Sequence, residues 1–244
     1  MKYTIGKITL VIEESETKEA KGTPHQVVSW RDCAETCRNL DTICDVITDK
    51  DYSNLKIVDG IARAGFWSAV FRNKWGDNCS LHLNENDPSC MAVLKRNFPN
   101  DKITSFDIRK WNPKSCDLVM LDFDYFTLKK LYTEQWTDTI SRWDDCSGKY
   151  LVLADGACFG FKFGNMKHYG IKEEKEYYYL LRDEMKKHMN KKLTVVSKFN
   201  NSSIVLFEHT RRNNDIKFLP PSSLHLSKGN KVYGNQPNPL PSLF

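Results

Sequence analysis

Carboxylates recur at the ends of four successive apolar runs. Asp59 closes LKIVD (55–59), Glu85 follows CSLHLN (79–84), Asp107 follows KITSF (102–106), and Asp122 closes DLVMLD (117–122), with Asp124 beyond it. A single Asp at such a place is more often a turn former or helix cap than a ligand. Recurrence in register suits a ligand rich in hydroxyl and amine donors. A carboxylate after the second run accepts both hydroxyls of a ribose, and one after the third accepts from an exocyclic adenine amine. Between the first two runs lies Gly60-Ile61-Ala62-Arg63-Ala64-Gly65, small enough for backbone to approach a ligand closely. Neither G-x-G-x-x-G nor G-x-x-x-x-G-K-[ST] occurs. With no pyrophosphate cradle, the expected ligand is an adenosyl group without phosphate.

These loops need a scaffold that brings strand ends together. From residue 55 the chain alternates apolar runs with amphipathic stretches, the pattern of a mostly parallel sheet with helical crossovers. The further runs are KYLVLAD (149–155), LTVVSKF (193–199) and SIVLFEH (203–209), and helices are predicted near 66–75, 88–98, 129–143 and 172–190. Asp87 and Pro88 mark a helix start, with Met91, Leu94 and Phe98 on the inward face. Only Asn200-Asn201-Ser202 joins the last two runs, so the final strand must turn back antiparallel. The expectation is an α/β fold: a Rossmann-like, seven-stranded, mostly parallel sheet with an antiparallel last strand and helices on both faces. Ligands bind such sheets beyond the strands' carboxyl ends, where strand order reverses.

Flanking segments differ in character. Residues 1–50 read as an N-terminal extension, with a strand over 7–13, a polar loop over 14–26 and a helix over 30–48 striped by Leu40, Ile43, Cys44 and Ile47. Residues 51–210 form the ligand-binding domain. Residues 211–244 read as an extended tail that either wraps the domain or dangles, because five of nine prolines fall within 220–241.

Composition narrows the classes. The chain of 244 residues is 40% hydrophobic and 27% charged, which supports a sizeable core and argues against general disorder. No apolar run approaches a membrane span, and Met1 opens into Lys2-Tyr3-Thr4 without a signal core, so a cytoplasmic protein with no membrane partner is expected. The eight cysteines include no Cys-x-x-Cys, which favours buried thiols over a metal site. Residues 156–244 hold 15 Lys and Arg against 7 Asp and Glu, whereas the remainder holds 21 against 24. A basic C-terminal portion fits either an anionic partner, nucleic acid being the commonest, or a solvated lysine-rich face.

The order of elements and the loop residues resemble a class I S-adenosylmethionine-dependent methyltransferase. Within that class, VDGIARAGFWSAVF (58–71) is similar to the first motif of the tRNA guanine-N2 methyltransferase family, with Gly65 and Ser68 at its Gly and Ser. LHLNENDPSCMAVLKRN (81–97) matches its acidic residue at Glu85, its proline at Pro88 and its Lys-Arg-Asn at 95–97. CDLVMLDFDYF (116–126) is similar to its Asp-x-Asp-Pro-aromatic motif, and LVLADGA (151–157) more weakly to a later one. An upstream segment is matched by Arg38-Asn39-Leu40-Asp41. The resemblance spans residues 30–160 and implies S-adenosylmethionine as cofactor, held by Arg38, Asp59, Gly60, Ala62, Gly65, Glu85, Asn86, Asp107, Ile108 and Asp122. It also implies a nucleic-acid substrate, with tRNA-like RNA favoured over DNA. The chain departs from the pattern in three ways. Arg63 stands where most class I enzymes have Gly, so it either clashes with or contacts the methionine carboxylate. Tyr125 replaces the proline, and the family's large C-terminal domain is replaced by a short basic helix, a hairpin and the tail.

Methyl transfer is an in-line displacement in which the enzyme chiefly aligns the reactants. An exocyclic base amine is a poor nucleophile, and a carboxylate accepting its N–H favours the attacking geometry. Asp124 is the leading candidate for that role and Asp122 the second. Tyr125 and Phe126 are placed to stack on a flipped base, although Phe126 also suits core packing. Lys162, Lys167, Lys186 and Lys187, with His168, Lys172, Lys191, Lys192 and Arg211-Arg212, are candidates for a phosphate-tracking surface. Cytosine C5 chemistry is disfavoured because no Pro-Cys dipeptide occurs. A small-molecule or protein acceptor, and a scaffold that has lost the cofactor, remain as competing expectations.

Overall fold

The computed structural model describes residues 1–13, 30–50, 54–122, 137–154, 170–199, 202–210 and 215–232, the side chains of 30–32 and 231–232 excepted. Strands β3 (Leu55–Asp59), β4 (Cys79–Asn84) and β6 (Cys116–Leu121) are buried over most of their length, which is why they read as near-continuous apolar runs. Helix α2 (Phe66–Trp75) follows β3, and α3 (Pro88–Asn97) joins β4 to β5 (Lys102–Thr104). Asp87 caps α3 by accepting from the backbone N–H groups of Ser89 and Cys90. Of the predicted inward face of α3, Leu94 and Phe98 are buried and Met91 is half-buried, and Val93 joins them.

Beyond β6 the chain is helical over 137–146 (α4) and enters β7 (Ser147–Ala154). Helix α5 (Glu174–Met185) leads to β8 (Lys192–Phe199), which pairs with β9 (Ser202–Glu208). With β10 (Lys217–Leu219), the main sheet has the order β10-β8-β9-β7-β6-β3-β4-β5, in which only β9 opposes the common direction. Strand order therefore reverses between β3 and β6, and the loops after β3, β4, β5 and β6 share one edge.

Among the described residues the main sheet has eight strands, one more than predicted. The addition is β10 (Lys217–Leu219), a three-residue strand from the proline-rich tail that pairs parallel with β8. The tail continues into β11 (Leu226–Lys228) and β12 (Lys231–Val232), so over 215–232 it wraps the molecule. There it builds a second sheet of order β12-β11-β1-β2 with the N-terminal hairpin β1 (Lys2–Ile5) and β2 (Ile8–Val11). The single predicted strand at 7–13 is thus the second arm of a hairpin that turns at Gly6, whose φ is 57°.

Alternate strand residues feed two cores. Leu118, Met120, Tyr150 and Val152 face one side with α1 (Trp30–Thr48), α2 and the small sheet, while Val119, Leu121, Leu151 and Leu153 face α4 and α5. The α1 stripe of Leu40, Ile43, Cys44 and Ile47 is completely buried. Burial pushes the thiol of Cys79 up to about 11 and those of Cys90 and Cys116 up to about 12, so these cysteines are neutral packing groups. Among the described residues no helix is long and apolar enough to cross a membrane, and no His/Cys/Asp/Glu group suits a metal ion.

Candidate functional site

Asp59 ends β3 with its side chain wholly buried. Its Oδ2 accepts from Ser68 Oγ at 2.6 Å, and its Oδ1 is buried without a hydrogen-bond partner. Burial raises this carboxyl to about 7; nearby Asp122 and Glu85 push in the same direction, and the Ser68 hydrogen bond only partly offsets them.

Gly60 and Gly65 give the following loop its shape. A Cβ on Gly60 would lie 2.7 Å from Leu121 Cδ2. Gly65 caps α2 at φ 87°, and a Cβ there would lie 2.4 Å from the Phe98 ring. Ala62 is buried between them, with its N–H donating to Asn84 O at 2.9 Å.

Arg63 draws three loops together. Its backbone N–H donates to Glu85 Oε2 at 2.7 Å, and its Nε lies 2.9 Å from Oδ2 of Asp122, at the end of β6. Asp122 beside it raises the guanidinium's pKa further. The other oxygen of Glu85 accepts from the N–H groups of Asn86 and Asp87, both at 2.8 Å. Glu85 thus sits at the predicted crevice, but its carboxylate is folded onto its own loop.

Asn84 was not singled out from the sequence, yet it staples the site. Its Nδ2 donates to Gly60 O and Phe106 O, and its Oδ1 accepts from Thr104 Oγ1 and Phe106 N–H. The only sequence signal was a polar side chain ending an apolar run. The run KITSF predicts Phe106 in a strand, but β5 ends at Thr104 and Phe106 is 47% exposed, its ring 5.4 Å from that of Trp111. Beside it, Asp107 binds Arg109 through both oxygens, which holds its carboxyl down at about 2. Ile108 is half-buried in the second core and its carbonyl accepts from Trp143 Nε1.

Other expected site residues lie elsewhere. Arg38 is buried on α1, where its Nε donates to Leu224 O of the tail at 3.4 Å. Lys186 and Lys187 are exposed after α5, paired with Asp183 and Glu184. They precede β8 and therefore lie at the sheet edge opposite the cofactor loops, about 20 Å away for a strand of this length. Lys191 belongs to no surface: it is 1% exposed, and its Nζ donates to Asp144 Oδ1 at 3.0 Å and Asp144 O at 2.7 Å. Asp124, Tyr125, Phe126, Lys162 and Lys167 lie outside the described residues.

No protein-family profile matches the chain, and no characterised protein matches it in sequence. Solved structures do match in fold. Magnesium protoporphyrin IX methyltransferase from Synechocystis, with bound S-adenosylmethionine, is 11% identical with a TM-score of 0.53, over 80% of this chain and 90% of that one. A Listeria monocytogenes protein described as a candidate class I S-adenosylmethionine-dependent methyltransferase is 14% identical with a TM-score of 0.54, over 86% and 71%. A candidate RNA methyltransferase from Pyrococcus horikoshii is 11% identical with a TM-score of 0.51, over 83% and 100%. The strand order, the single antiparallel strand and these likenesses establish that the chain has the fold of the class I methyltransferases.

Proposed function

We propose that this chain is an S-adenosylmethionine-dependent methyltransferase whose acceptor is an exocyclic base amine of RNA. The observation that carries this reading is the convergence of Asp59, Glu85 and Asp122 around the Arg63 loop, at the point where strand order reverses. The residues fit the cofactor. Asp59 offers an unpartnered buried oxygen, Gly60 and Gly65 let the loop between them pack closely against Leu121 and Phe98, and Glu85 and Asp107 are carboxylates suited to hydroxyl and amine donors. Glu85 would take the ribose hydroxyls by releasing the Asn86 and Asp87 N–H groups, and Asp107 would take the adenine amine by turning from Arg109.

When bound, the cofactor supplies an electrophilic methyl group on a sulfonium. The chain's part is to orient the acceptor. Asp124 is assigned to accept an amine N–H and steer the lone pair at the methyl, with Tyr125 stacking on the base. The charge surplus of residues 156–244 and the tRNA guanine-N2-like segments at 58–71 and 116–126 support RNA. A small-molecule acceptor is the second reading, favoured by the far-edge position of Lys186 and Lys187.

Labelled S-adenosylmethionine offered with tRNA, rRNA, DNA and small-molecule pools separates the two readings; label entering only small molecules would remove RNA. With the acceptor in hand, Asp124→Asn is expected to lower the single-turnover rate about 10²–10⁴-fold while cofactor affinity holds. An unchanged rate would take Asp124 out of the mechanism.

A further inference from the structure

Among the described residues only Asn54 and Arg63 hold a side chain at positive φ, and Arg63 does so, at 48°, inside the candidate site. Glycine adopts that backbone without strain; arginine does not. Such strain persists where the surroundings hold it, and it points to a use for the side chain. Here the backbone is held by Glu85 and the guanidinium by Asp122, so the side chain is fixed between the loops after β3 and β6. The result is a guanidinium and a carboxylate facing each other across the crevice, with Arg63 32% exposed and Asp122 8% exposed.

A pair of this kind matches one end of the proposed cofactor. The adenosine end is recognised by hydroxyl and amine acceptors, Glu85 and Asp107. The other end is an α-amino acid, which carries one carboxylate and one ammonium. We propose that Arg63 and Asp122 form a zwitterion clamp whose ion pair opens to receive that amino-acid end, its carboxylate on Arg63 and its ammonium on Asp122. The inference rests on the methyltransferase reading above. The exchange turns one ion pair into two and leaves no partly buried charge alone, which is the condition for moving charges into such a site at low cost. The clamp acts on only one end of the ligand. A nucleoside without the amino-acid end leaves the Arg63–Asp122 pair closed.

Calorimetry on the full chain with S-adenosylhomocysteine and with 5′-methylthioadenosine, which lacks the amino-acid end, tests this. Arg63→Gly keeps the left-handed backbone free of strain, and Asp122→Asn conserves shape, so thermal melts should find at least one of them folded. The expected result is a loss of about tenfold or more for S-adenosylhomocysteine, the scale of a charge-assisted hydrogen bond, with 5′-methylthioadenosine held within about twofold. Equal losses for the two ligands would make Arg63 a loop-shaping residue and overturn the clamp, as would no loss for either. Failure of the folded wild-type chain to bind either ligand would instead remove the cofactor reading, and the clamp with it.

Discussion

Asp59 combines complete burial with a carboxyl raised to about 7 from an ordinary 3.8. Between those values the folded chain holds a proton that the unfolded chain releases. Stability is therefore fully present below about pH 4, declines as pH rises towards 7 and is level above it; the whole effect is at most about 4 kcal/mol. Asp59→Asn removes that proton exchange. Urea melts of both proteins from pH 4.5 to 7.5 should show the variant gaining on the wild type as pH rises, and parallel curves would mean an ordinary Asp59. The carboxylates at 59, 85 and 122 are legible as residues because each follows a buried apolar run, whereas Asp107 follows the half-exposed β5. Their present partners were not legible. That Glu85 binds its own loop and Arg63, and Asp107 binds Arg109, follows from backbone turns that no spacing encodes.

At the scale of elements, two asparagines dock the small sheet onto the helices. Asn97, at the end of α3, accepts from Val11 N–H at 2.8 Å and donates to Val11 O at 3.1 Å. Asn73, on α2, accepts from Lys7 N–H at 2.8 Å, close enough to Gly6 that a Cβ there would lie 2.1 Å from Asn73 Oδ1. The edge of β2 is thus capped by side chains rather than left open to another strand. Asn97→Ala is expected to lower stability by about 1–2 kcal/mol and to speed hydrogen exchange at the Val11 amide. An unchanged exchange rate at Val11 would show that the hairpin is held by its apolar side chains alone. The resemblance placed Asn97 within a cofactor-enzyme motif, yet its side chain here serves the N-terminal sheet. Elements with long apolar runs or clear caps, such as β3, β4 and α3, matched their expected bounds closely. The three-residue β10 and β11 did not announce themselves, since runs so short have no measurable period.

For the molecule as a whole, the tail closes the fold. β10 extends the main sheet, β11 pairs with β1, and α1 grips the segment between them: Thr42 Oγ1 donates to Pro220 O, and Arg38 Nε to Leu224 O. Ile216 and Leu226 are buried against the two cores. Ending the chain at residue 210 would open the edge of β8, strip β1 of a partner and uncover both cores. Such a truncation is expected to melt at lower temperature and to self-associate, as size-exclusion chromatography and thermal melts would report. A monomeric product with an unchanged melt would make the tail an accessory.

The layered α/β architecture, the antiparallel last strand and the line of strand-end carboxylates are all written in the order of residues. Each of these follows from local signals: apolar runs buried on both faces, helix caps and a hairpin too short for a crossover. Which charges face each other emerges when the chain is folded. Lys191 reads as one lysine of a basic surface, yet packing closes over it and Asp144 becomes its partner. Arg38 reads as a cofactor ligand, and the fold adds a contact from its Nε to Leu224 O of the returning tail. Arg63 reads as a residue that either clashes with or contacts a ligand in the first loop, and Asp122, from a strand nearly sixty residues away, holds it in place. Charge pairing across such separations depends on which strands become neighbours, and that is settled when the whole sheet assembles rather than by any local stretch of chain.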